Sequence, residues 1–312
     1  MARRRAYTRK PLRRSRRRPS TRRSYSKKRS TYTRRRSGMS RRRILNVTSR
    51  KKRDSMTPVA LNADSSYATG PLSLSAVTNP SYGVHIVPWI ASARSLINPA
   101  NGYLGDVSQT AQRTATNCFM RGLSETIRIT TSSNLPWEWR RICFTFRGNT
   151  FLIPDGTSTY FRLYSSAADG VKRALPNITP PTTGAGSYPL ALANQMIRHL
   201  FQGTYGKDFG DILTAKVDSN LIKVRYDKTI PITSANDVGT QRVVKRWHPM
   251  NATIHYDDNE TGSDLSTSVL SVESNMGMGD YYVVDIFKPH PAATSNDILA
   301  FAPQSTLYWH ER

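Results

Sequence analysis

The chain has 312 residues, with 46 Lys and Arg against 21 Asp and Glu, a formal net charge of +25. That balance points to a polyanionic partner. Two cysteines exclude a disulfide framework, and no run approaches the ~18 apolar residues of a membrane span.

The first 53 residues hold 25 Lys or Arg and no acid; the other 259 hold 21 basic and 21 acidic side chains. The chain therefore divides into a basic arm, 1–53, and a neutral body, 54–312. Arginines cluster at Arg3, Arg4, Arg5, then Arg13, Arg14, Arg16, Arg17, Arg18, then Arg22, Arg23, then Arg34, Arg35, Arg36 and Arg41, Arg42, Arg43. With little apolar surface and strong self-repulsion, such a segment is expected to be disordered alone and to need nucleic acid. Guanidinium groups fork onto phosphates, and Tyr7, Tyr25 and Tyr32 are placed to stack on unpaired bases. Arg50, Lys51, Lys52 and Arg53, with Arg41–Arg43, also fit a nuclear-import signal.

From Asp54 onward, short β-branched and aromatic runs alternate with Gly, Pro, Asn and Ser turns. Strands are predicted at 118–131, 139–147, 159–165, 222–227, 242–247, 252–257, 281–288 and 305–311. Several alternate with a period of two, as Ile142, Phe144 and Phe146 do against Arg141, Cys143 and Thr145. Asp218-Ser219-Asn220 predicts a hairpin joining 215–217 to the strand at 222. Leu192, Met196 and Leu200 predict a helix capped by Ser187, with Pro189 in its first turn and Gly203 as its stop. About eight strands with one inserted helix match an all-β jelly-roll sandwich of two sheets.

Sites for chemistry are missing. There is no phosphate-binding Gly-rich loop and no nucleophile elbow, so no enzyme, cofactor or metal is expected. His248 and His255 are predicted on opposite strand faces, and Asp257–Glu260 as a turn that also fits a divalent ion or a basic partner. Cys118 and Cys143 read as buried thiols. Trp137 and Trp139 fit either core or interface anchors or, alternatively, base-stacking groups.

The run Ile44-Leu45-Asn46-Val47-Thr48-Ser49-Arg50-Lys51-Lys52-Arg53-Asp54-Ser55-Met56, following an Arg-rich arm, resembles capsid proteins of genomoviruses, which have small circular single-stranded DNA genomes. Met276–Phe287 resembles the same family, and Ser305–Trp309 is similar to the last strand of geminivirus coat proteins. Across 150–210 only the general layout matches. The resemblance implies a jelly-roll subunit in a small icosahedral (T=1) shell of about sixty copies, the arm inside on circular single-stranded DNA, and entry to the host nucleus through import receptors. The Cys/His finger of geminivirus coat proteins has no full counterpart in a chain with two cysteines. A cellular chromatin- or ribosome-associated protein with a basic tail explains the arm equally well, but not a large neutral β body without a reader motif.

Overall fold

A computed structural model of the chain describes residues 39–61, 67–153, 162–181 and 188–311. The described residues from Leu45 onward form one compact unit. In chain order the elements are α1 (Arg41–Thr48), β1 (Arg50–Met56), β2 (Pro58–Leu61), β3 (Tyr67–Thr69), β4 (Leu72–Ser75), β5 (His85–Ile90), β6 (Asn117–Thr131), β7 (Trp137–Phe146), β8 (Ser165–Ala167) and β9 (Gly170–Leu175). They continue with α2 (Tyr188–Leu200), β10 (Lys223–Ile232), β11 (Gln241–His255), β12 (Asn259–Thr261), β13 (Asp264–Ser266), β14 (Asp280–Pro289) and β15 (Ile298–Glu311).

The long strands form two antiparallel sheets. One runs β1-β15-β6-β11, with β4 also paired to β15. The other runs β10-β7-β14-β5. Successive long strands mostly switch sheets, from β4 to β5, β5 to β6, β6 to β7, β10 to β11 and β14 to β15. This is the interleaved order of a jelly roll. A smaller sheet, β3-β2-β9-β8, includes a parallel β2–β9 pair and packs its Ala60, Ala174 and Leu175 into the sandwich core.

The two sheets are buried differently. Inward residues of both, among them Trp89, Leu123, Val283, Leu307 and Trp309, fill the sandwich. The β5-β7-β14 sheet buries its second face as well. Ile86, Phe144, Tyr282 and Val284 pack under Leu192, Met196 and Leu200 of α2 and under Phe151 and Leu152 of the long insertion between β7 and β10. A strand covered on both sides loses its alternation, which is why HIVPWI of β5 gives no strand signal by period.

Several expectations change. The body starts at β1, so residues 50–53 belong to the sheet and not to the arm. Seven residue pairs with β15 hold β1 in place, and Ser40 caps α1 through its carbonyl, which accepts from the Arg43 and Ile44 amides at 2.8 and 3.0 Å. The segments 242–247 and 252–257 are one strand, β11, bent at a bulge where Asn251 has φ 47°. The hairpin before 222 does not form: Val217 makes one bridge, to Phe201 at the end of α2. The 159–165 strand is replaced by β8, which starts only at Ser165; residues 159–161 lie outside the described residues, as does the Ser187 cap. The helix and the Gly203 stop (φ +90°) agree with the sequence.

Candidate nucleic-acid interface

The outward face of the β1-β15-β6-β11 sheet carries cations without acids. Strand alternation points Lys51, Arg53 and Ser55 outward on β1, and Thr306, Tyr308 and His310 on β15. On β6 it exposes Phe119, Arg121, Thr126 and Arg128, and on β11 Val243, Lys245 and Trp247. The register aligns these groups in rows: Lys51 pairs with His310 and His310 with Phe119, while Arg53 pairs with Tyr308. No acid lies at an outward position of these four strands. Among the described residues, none of the five cations forms a salt bridge. Arg121 instead donates to Asn251 Oδ1 at 2.7 Å.

Aromatic rings lie between the cations in two couples. The Trp247 and Tyr308 centroids are 5.8 Å apart, and those of Phe119 and His310 are 6.2 Å apart. Trp247 on β11 and Tyr308 on β15 meet across the intervening β6 because position 122 is glycine. A Cβ there would stand 2.6 Å from the indole and 2.6 Å from the His248 carbonyl oxygen. Trp247 is 51% exposed and Phe119 37%, high for such large rings. Partial burial, and then the charges of Arg121 and Lys51, lower the His310 imidazole below its ordinary range, which keeps it neutral at pH 7.

The acids of the same strands point inward. Between the sheets, Arg141 lies against Asp285 (2.7 and 2.9 Å) and donates to Glu125; Arg173 reaches Asp285 at 3.0 Å and Glu125 at 3.5 Å. Ser305 Oγ and Trp139 Nε1 donate to these carboxylates at 2.9 and 2.8 Å. All four charged groups are buried, as such groups are when paired. Burial opposes ionisation of Glu125, and Arg141 and Arg173 overcome it, holding the carboxyl down at about 2. His248, 3.7 Å from Glu125, is pushed down to about 4 by burial and then by Arg141.

The structure sorts the sequence candidates unequally. Arg3 through Arg36 and Tyr7, Tyr25 and Tyr32 lie outside the described residues. Arg41–Arg43 begin α1, and the Arg43 side chain is exposed. The proposed import run Arg50–Arg53 is a folded strand whose third member is unavailable. Lys52 is 3% exposed, 3.3 Å from Glu311, and donates to the Gln112 carbonyl at 2.7 Å and Thr114 Oγ1 at 3.0 Å. Base stacking on Trp137 and Trp139 is overturned: both rings are 1% exposed and sit in the core beside Phe287 and Phe301. Asp258 pairs with Arg113 at 2.6 Å, so the acidic turn serves the fold. Cys118 and Cys143 are buried free thiols, and burial raises both well above the ordinary thiol range.

Sequence reasoning missed the outward sheet face. Phe119, Arg121, Lys245 and Trp247 share strand parity, which the sequence displays. Their rows depend on pairing among β1, β15, β6 and β11, which it does not display. The body's zero net charge hid the separation of signs between the two sides of the sheet.

The chain matches no protein-family model and no curated protein sequence.

Proposed function

We propose that this is the coat protein of a small single-stranded DNA virus of the genomovirus kind. Copies of the jelly-roll body assemble into a closed icosahedral shell, and the Arg-rich arm neutralises the packaged genome. The observation that carries this reading is the placement of charge. The arm ahead of β1, residues 1–49, concentrates 21 cations without one acid, and the chain passes from it into β1, the edge of the sheet whose open face is also free of acids. In the proposed shell the open face lines the lumen. A neutral body limits repulsion between neighbouring subunits. About sixty arms supply on the order of 1,300 positive charges, a match in scale for a genome of a few kilobases. Import receptors would engage the arm's basic clusters before assembly, since β1 holds Lys52 inside the folded body.

Light scattering of the purified full-length chain tests the reading. Megadalton particles that retain single-stranded DNA in low salt, and shed it steeply as salt rises, are expected. A monomer or dimer at all protein concentrations, with or without DNA, overturns it and favours a basic-tailed cellular nucleic-acid-binding protein.

A further inference from the structure

The open face of the β1-β15-β6-β11 sheet has the composition and spacing of a binding surface in its own right. Its five cations, Lys51, Arg53, Arg121, Arg128 and Lys245, have no acid among them to satisfy their charge. A cationic face made only for solubility has no need of large rings, yet Trp247 and Phe119 are held open to solvent here. Gly122 is required for the Trp247 ring to lie across β6.

We propose that this sheet face is a second nucleic-acid site, separate from the arm, which takes unpaired bases on Trp247/Tyr308 and Phe119/His310 and backbone phosphates on the flanking cations. This rests on the packaging role proposed above and names what the body itself contributes to it. The geometry favours single strands. Tyr308 and His310 are two residues apart on β15, about 7 Å at ~3.3 Å per residue. An extended single strand can splay successive bases to that separation, each stacking on a ring. A duplex holds its bases ~3.4 Å apart along each strand and turns their faces inward, so it can reach the cations but not the rings. Cations stand where a backbone would run: Lys51 beside His310 and Arg53 beside Tyr308, with Arg121 near His310. Nothing on the face has the fixed donor and acceptor pattern that reads sequence, so binding is expected to be indifferent to base identity.

The full-length protein carries its own reporter. Of the five tryptophans, Trp89, Trp137, Trp139 and Trp309 are 1% exposed, whereas Trp247 is 51% exposed. Titration with oligothymidylate should quench the Trp247 emission. An abasic oligomer of equal length and a duplex should bind the chain without quenching it. Photocrosslinking with 5-iodouracil oligomers should mark Trp247, Tyr308 or Phe119 in addition to the arm. Trp247→Leu should abolish the quench and weaken oligothymidylate binding about tenfold, roughly one lost stack, while duplex affinity stays unchanged. Saturated oligothymidylate binding without a change in emission, or equal quenching by the abasic oligomer and the duplex, overturns the proposal. So do crosslinks confined to residues 1–38. In those outcomes packaging by the arm still stands, whereas failure to bind single-stranded DNA at all would remove the packaging role itself.

Discussion

The sandwich has two outer faces, and they are treated in opposite ways. In the β10-β7-β14-β5 sheet, β5, β7 and β14 are roofed by α2 and the β7–β10 insertion and are buried on both sides. The β1-β15-β6-β11 sheet is open, and its strands are apolar or ion-paired inward and cationic or aromatic outward. A second contrast, between the interior and the open face, is marked by Arg141 and Arg121. The first is 1% exposed between Asp285 and Glu125; the second is exposed and meets no carboxylate among the described residues. Arginine between the sheets is a structural residue, and on the open face it is available to a ligand.

The largest effect is expected from that pair. Arg141→Gln leaves Asp285 and Glu125 with less compensation and should cost about 3–5 kcal/mol of stability in denaturant unfolding. Arg121→Gln should change stability by under about 0.5 kcal/mol while lowering the salt dependence of DNA binding by about one phosphate contact. Equal destabilisation by the two would erase the distinction between the interior and the open face.

The roof gives the next test. Met196 is fully buried on the sheet-facing side of α2, so Met196→Ala should cost about 2–5 kcal/mol. Trp247→Ala, a larger truncation on the open face, should cost under about 1 kcal/mol, because half of that ring is already in water.

The interior cluster adds a pH dependence through His248. His248 is held down at about 4 and takes up its proton near 6.5 when unfolded. Between those values the unfolded chain binds more protons, so stability rises with pH. The contribution is complete above pH 6.5 and falls by about 3 kcal/mol as pH drops toward 4. His248→Gln should flatten that part of the profile; an unchanged slope would remove His248 as its source.

The sequence made the open sheet easier to read than the roofed one. Alternation in β6 and at the end of β15 follows from having one wet face, and both segments are predictable. β5 is uniformly buried, so period carries no information there. β1 misled for a different reason. Its RKKRDSM run looks like a continuation of the arm, because nothing local reveals that Lys52 and Asp54 turn inward to meet Glu311 and Arg94. The aromatic couples were hidden the same way, since each joins residues 60 to 190 positions apart that only the strand register brings together.

Electron cryomicroscopy of particles formed by the full-length chain with single-stranded DNA tests the account most directly. It predicts a closed shell of about sixty subunits, with the Trp247 face toward the lumen and density for unpaired nucleotides against it. A shell with that face on its exterior, or a chain that remains a small soluble species beside the same DNA, would contradict it.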